Sequence, residues 1–286
     1  MGLAYPMQKF QDWVTQQWVI LSGKKINPDD FSWLMGPFGS LNGIGENLIH
    51  QLAEKEHLLI ERNSPSQGLI PSINQLNLPA TELSRLSQQV VSFYEKTAQY
   101  NLDFSVKWNP GFKFFGILIN KLFSNRISQL NIPTGNIENV ESLKSEIITL
   151  TDPVSGIIKY TVWFRSFASS GKVIYSGLYS TCTLPSGKIG VKAVFPLPKG
   201  NATVIMLPNV TTEGKLVLDA SGQNPGDAGF YFLLNDSKGN YWSKYVRSFR
   251  DRLIIGPAKD HIAAEQVLTL WRQKVLTFNY QISLKS

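Results

Sequence analysis

Few side chains in this sequence are of a type and spacing that could do chemistry. The three histidines, His50, His57 and His261, sit in no recognisable motif, and the single cysteine is Cys182. A Ser–His–acid or Cys–His enzyme needs a base close to its nucleophile. No Gly-x-Ser-x-Gly elbow, zinc-protease motif or paired-carboxylate motif is present. Cys182, beside Ser180 and Thr181 in an expected strand, reads as a buried and inert thiol. His50 and His57 stand seven residues apart on an expected helix over about 45–61, with Glu46, Glu54 and Glu61 nearby. Zinc-binding pairs on a helix are four residues apart, so this spacing points to a surface and not to a metal site. Asp103, Asp219 and Asp227 could act as general acids or bases, but nothing in the sequence singles them out. No cofactor motif is found.

The tyrosines remain. Tyr160, Tyr175 and Tyr179 are expected on one face of a strand ladder, joined by Tyr231 and Tyr245 if the sheet closes on itself. Each ring offers an apolar body and one hydroxyl, which suits a pocket that encloses an apolar molecule and orients it by a few polar contacts. Arg247 would add a charge for a carboxylate or phosphate head. The competing reading is a packed aromatic core whose hydroxyls are satisfied by the backbone.

The element that must position these residues is the stretch from Ile157 to Leu207. YTVWFRSF (160–167), KVIYSGLYSTCTL (172–184), IGVKAVFPL (189–197) and ATVIMLP (202–208) are separated by glycine-containing turns, the signature of an antiparallel meander. With Ser169 and Ser170 as a two-residue turn, Tyr160 pairs with Tyr179, Val162 with Gly177, and Phe164 with Tyr175. Leu178, Val191, Phe195, Val204 and Met206 then form the other face, and Arg165 lies opposite the tyrosines. A sheet apolar on both faces needs two covers. One is expected from the N-terminal half, the other from curling of the sheet into a barrel.

Beyond the ladder, KLVLDASG, GFYFLLND and GNYWSKYV continue the strands, RSFRDRLIIG is undecided, and EQVLTLWRQKVLTFNYQISL alternates Leu276, Phe278, Tyr280 and Ile282 as a closing strand. Before it, residues 6–21 form an amphipathic helix. Residues 79–100 form another, capped by Thr81, with Leu83, Leu86, Val90, Phe93 and Thr97 as its stripe. FKFFGILINKLF (112–123) is apolar nearly all round and is expected to pack against the sheet as a core helix, with a lid across the barrel mouth or a membrane-touching helix as the alternative. Gly36, Gly39, Gly43 and Gly45 precede the 45–61 helix as a structural turn, matching neither a phosphate loop nor a dinucleotide fingerprint.

With 286 residues, 43% hydrophobic and seven Trp, the chain can bury a substantial core. The net charge of +7 permits an acidic partner, but the basic residues are scattered, so nucleic acid is not expected while peripheral contact with an anionic membrane stays open. One cysteine excludes a disulfide framework and suits a reducing compartment. The start, MGLAYPMQKFQDW, has no charged segment leading into an apolar core, so no secretory signal is expected. No run reaches the length of a transmembrane helix. The expected location is cytoplasmic.

FYEKTAQYNLDFSVKWNPGF (93–112), RISQLNIP (126–133), YSGLYSTC (175–182), KAVFPLP (192–198), GFYF (229–232), YVRSFRDRL (245–253) and GPFGSLNGIGE near the N-terminus together resemble a family of uncharacterised bacterial proteins. The resemblance implies no activity, cofactor or catalytic residue, only that both halves travel as one unit.

The expected fold is therefore α+β: an N-terminal helical region, 1–140, packed on a C-terminal antiparallel β-barrel or strongly curved sheet, 141–286, lipocalin-like or alternatively START-like, with one compact unit also open. Three functions compete. The first is binding of an apolar or amphipathic small molecule in the barrel. The second is a cyclase or isomerase acting on such a molecule with tyrosine hydroxyls. The third is a structural or partner-binding role at an anionic surface.

Overall fold

The computed structural model describes residues 2–6, 10–39, 46–112, 136–171 and 173–285. Its strands, in chain order, are β1 (Lys24–Ile26), β2 (Leu59–Arg62), β3 (Tyr100–Trp108), β4 (Ile137–Thr151), β5 (Ile158–Phe167), β6 (Val173–Thr183), β7 (Ile189–Leu197), β8 (Gly200–Val210), β9 (Leu216–Asp219), β10 (Gly229–Asn235), β11 (Tyr241–Tyr245), β12 (Phe249–Pro257), β13 (Ile262–Leu270) and β14 (Gln273–Leu284). The helices are α1 (Phe10–Ser22), α2 (Glu46–Glu56), α3 (Ala80–Leu83) and α4 (Gln88–Glu95). Ten strands, in the order β8-β7-β6-β5-β4-β3-β14-β13-β12-β9, close into an antiparallel barrel because β9 returns to pair with β8. That is two strands more than a lipocalin has. The last element is a strand and not the long helix of a START-like fold.

Closure depends on a fork in β8. Its first half pairs with β10, from Gly200↔Leu234 to Ile205↔Gly229, and its second half with β9, from Leu207↔Asp219 to Val210↔Leu216. β10 carries β11 and β1 outward as a flap. The barrel also takes β3 from the N-terminal region, between β4 and β14, and the boundary expected near residue 140 falls inside β4.

The hairpin of β5 and β6 differs from its expected register. Thr161, not Tyr160, lies opposite Tyr179, and Trp163 pairs with Gly177 and Arg165 with Tyr175. The cause is a longer loop, closed by Gly171 N–H on the Phe167 carbonyl with Gly171 in the left-handed region, and a bulge at Arg165/Ser166. A shift of one residue turns every side chain to the other face. Trp163 and Tyr179 therefore point inward with Val191, Phe195, Val204 and Met206, while Leu178 joins Ile148, Leu150, Val162 and Val194 on the outside.

Outside, one wall is covered. Leu48, Ile49 and Leu52 of α2 share a buried cluster with Ile148, Leu150, Val162 and Leu178. Next to it the 31–39 segment lies against β7 and β8, pinned by two buried polar side chains: Lys192 Nζ donates to the carbonyls of Trp33 and Met35, and Asn201 donates to those of Gly36 and Pro37. The sequence-predicted 45–61 helix stops at Glu56, because His57 turns into the left-handed region and residues 59–62 pair with β4 as β2. His50 and His57 thus do not share a helix face.

One end of the barrel is closed by residues 67–99. Leu69, Leu76, Val90, Phe93 and Tyr94 belong to the same buried cluster as the inward residues of the strands. The single helix expected over 79–100 is broken into α3 and α4, with the Ser87 N–H donating to the Gly214 carbonyl at the break; Pro79, not Thr81, precedes the first turn. The expected helix over 112–123 lies outside the described residues beyond Phe112, as do Gly43 and Gly45 of the glycine cluster.

Candidate functional site

The barrel interior is mainly apolar, with Ser145 and Thr149 of β4 bonded to Trp163 and Gln67, and one line of polar groups crosses it. Arg165 of β5 donates to the Tyr280 hydroxyl of β14, and this hydroxyl donates to Gln266 Oε1 of β13 at 3.3 Å. Gln266 Nε2 then donates to both carboxyl oxygens of Asp251 on β12, at 3.0 and 2.8 Å. Four strands each supply one member, and each member occupies an inward slot of its strand's alternation, as in Trp163-x-Arg165 and Asp251-x-Leu253-x-Ile255.

The groups carry the marks of a low-dielectric site. Arg165 and Asp251 are only 6% and 5% exposed. Burial pushes the Asp251 carboxyl up to about 7, with the Gln266 hydrogen bonds working against that rise and the nearby Asp219 adding to it. Burial also pushes the Tyr280 phenol up to about 12, although Arg165 favours its ionised form. The Arg165 guanidinium lies 4.0 Å from the centre of the Trp163 ring, a cation–π contact. Tyr179 packs edge-on against the same ring at 5.6 Å.

These residues line a cavity of about 50 Å³, closed further by Leu69, Phe93 and Tyr94 from the 67–99 segment. Such a volume holds a few waters or a molecule of a few heavy atoms, against roughly 300 Å³ or more for a drug-sized ligand.

The chain is similar to the uncharacterized membrane protein YndJ of Bacillus subtilis (strain 168). The two are 26% identical over 268 residues, which is 93% of this chain and 46% of YndJ. The chain thus spans about half the length of that curated relative, and the match agrees with the resemblance to uncharacterised bacterial proteins. No family model matches the chain, and no solved structure does. Among the described residues no helix is long and apolar enough to cross a membrane. The outward positions Asn101, Asp103, Ser105 and Lys107 of β3 and Asn279, Gln281 and Ser283 of β14 are polar, the reverse of the apolar band a membrane-spanning barrel presents to lipid.

Of the residues singled out in the sequence, Tyr179 lines the cavity. Tyr160 faces outward, donating its hydroxyl to the Glu56 carboxylate of α2 at 3.0 and 3.1 Å. Tyr175 lies in β6 opposite Arg165, and its side chain is outside the described part. Tyr231 and Tyr245 are neighbours, with ring centres 4.9 Å apart, but they sit behind β8, on the outer side of the barrel, in a cluster with Trp33 and Leu233. Arg247 is exposed and reaches Gln223. The single tyrosine-bearing face expected from the sequence is thus divided among the interior, the α2 wall and the flap.

Arg165, Asp251, Gln266 and Tyr280 were not singled out as ligand contacts. Their signal is legible in principle: a charged or amide residue standing in the apolar phase of an alternating strand. Among the described residues no group of three or more potential metal ligands occurs.

Proposed function

We propose that the barrel interior binds a small amphipathic molecule whose anionic or hydrogen-bonding head meets Arg165 and Tyr280 and whose apolar part lies along Leu102, Val204, Met206 and Ile282. One observation carries this reading: four strands converge a cation, a phenol, an amide and a carboxyl on a cavity in a mainly apolar barrel. A core built only for stability is better served by apolar side chains, because buried charges cost several kcal/mol unless well paired. Perturbed groups in a cavity are the ordinary mark of a binding site. The volume of about 50 Å³ sets the ligand's size. A molecule of a few heavy atoms fits as the barrel stands, and a longer tail enters only if the 67–99 plug moves aside. Similarity to part of a protein named for a membrane, together with the polar outer wall, supports a water-exposed module working beside a bilayer; the single cysteine fits its cytoplasmic side.

The test is native mass spectrometry of protein purified from its source, followed by thermal melts against a panel of small carboxylates and phosphates. A retained mass, or a Tm raised by one member of the panel and not raised in Arg165→Met, is the expected outcome. Saturation at a hundred times Kd should stabilise the fold by about 2.7 kcal/mol. A bare protein mass with no response from any small anion would remove the reading.

A further inference from the structure

α1 is apolar on two sides, and only one of them is covered. Val19 and Ile20 are buried with Leu234 against the flap, where Trp242 also packs. Val14, Trp18 and Leu21, at i, i+4 and i+7, form a second stripe on the other side, exposed by 45%, 45% and 57%. Within the stripe Trp18 meets the flap, edge-on to Phe232 with ring centres 6.1 Å apart, and it stays half exposed. What surrounds the open stripe says what kind of cover. Lys244 stands 5.8 Å from the Trp18 ring and donates to the Ser22 carbonyl at the end of the helix. Lys25, exposed, follows in β1 opposite Trp242 and therefore on the face of the flap that carries α1, while Lys24, opposite Ser243, projects from the other face. The helix's one acid, Asp12, is at its opposite end.

We propose that this stripe, with Lys25 and Lys244 beside it, seats the protein on an anionic lipid surface, with Trp18 and Leu21 entering the headgroup layer and the lysines meeting lipid phosphates. Tryptophan at headgroup depth, with lysine stems lying along apolar surface and their ammonium groups in the polar layer, is the arrangement such a boundary favours. A second copy of the chain is a poorer occupant, since a two-fold contact through this stripe would bring the same two cations together.

Co-sedimentation of the full chain with vesicles of phosphatidylcholine, with and without phosphatidylglycerol, tests the proposal. Association is expected only with the phosphatidylglycerol vesicles and should weaken as salt rises. Lys25→Glu, which removes one positive charge and adds a negative one, should lower partitioning by about 25-fold, taking each unit of charge at the surface as worth about a factor of five. Trp18→Ser with Leu21→Ser should lower it by about tenfold. All three side chains are exposed, so the unfolding midpoint should stay in place; if the Trp18 and Leu21 pair shifts it, the Lys25 change alone decides. The proposal is overturned if the unaltered chain does not sediment with anionic vesicles, if both variants partition as it does, or if it binds phosphatidylcholine alone equally well. It is also overturned by self-association that the Trp18 and Leu21 changes abolish in the absence of vesicle binding.

Discussion

Inside the barrel and behind its β8 wall, the chain sets tyrosines to two different uses. Behind the wall, Tyr231 donates to the Asp227 carbonyl and accepts from the Gly226 N–H, and Tyr245 donates to the Gly222 carbonyl at 2.7 Å. Both phenols are spent on main-chain groups of the 221–227 loop, and their rings are wedged together with Trp33. The packing leaves no slack: a Cβ on Gly229 would lie 2.5 Å from the Tyr245 ring. Inside, the Tyr280 hydroxyl meets no main-chain partner of that kind but links Arg165 to Gln266 and, through it, to Asp251. The difference lies in who satisfies the oxygen. A phenol held by backbone fixes a loop, whereas one held in a line of side chains beside open space can exchange a partner for a ligand without breaking secondary structure.

The largest effect of this contrast should come from behind the wall. Tyr231 is 1% exposed, and Tyr231→Ala removes a packed ring and strands both the Gly226 N–H and the Asp227 carbonyl. A loss of roughly 5 kcal/mol is expected from cavity and lost hydrogen bonds together, read by urea denaturation. Tyr231→Phe should lose only about 1–3 kcal/mol, the hydrogen-bond part. If the two variants were equally mild, the phenol would not be holding the loop and the contrast would fail.

The interior should instead reveal itself through pH. Asp251 has its folded value raised from 3.8 to about 7, so the folded state holds its proton more tightly than the unfolded chain does. Stability from this group is therefore complete below about pH 4, falls as pH rises toward 7, and is lost above it. At about 1.4 kcal/mol for each pH unit between the two values, the fall amounts to at most about 4 kcal/mol, less whatever water in the cavity relieves. Asp251→Asn cannot ionise, and its unfolding free energy should lack this slope between pH 4.5 and 8. Equal slopes in both proteins would mean that the carboxyl is solvated and that the interior is not a low-dielectric site.

How much of this was readable beforehand varies with the kind of information each element needs. The meander from β5 to β8 follows from glycine turns and alternation, and the inward set Leu276, Phe278, Tyr280 and Ile282 of β14 follows from alternation alone. β3 carries the same signal, with Leu102, Phe104, Val106 and Trp108 all buried, yet it stands amid helices and has its partners in β14 and β4, far along the chain. The register of β5 on β6 was not readable, because it rests on a bulge and a loop that no periodicity encodes. That one step exchanged Tyr160 for Arg165 in the interior. It hid the polar line, whose other members lie on strands where a lone Asp or Gln in an apolar phase looks like noise until the barrel closes.

Arg247 gives the smallest effect and the finest discrimination between the two regions. It lies two residues beyond Tyr245, is exposed, and reaches Gln223 Oε1 across 3.4 Å, a long hydrogen bond in full contact with water. Arg247→Ala should change stability by no more than about 0.5 kcal/mol, as surface substitutions away from structural features do. If the ligand head sits on Arg165, the Tm rise produced by a responsive anion should survive Arg247→Ala and vanish in Arg165→Met. The reverse pattern would move the site from the interior to the flap, where Tyr231 and Tyr245 would have to release the 221–227 loop to reach a ligand, at the cost of the main-chain hydrogen bonds they now make.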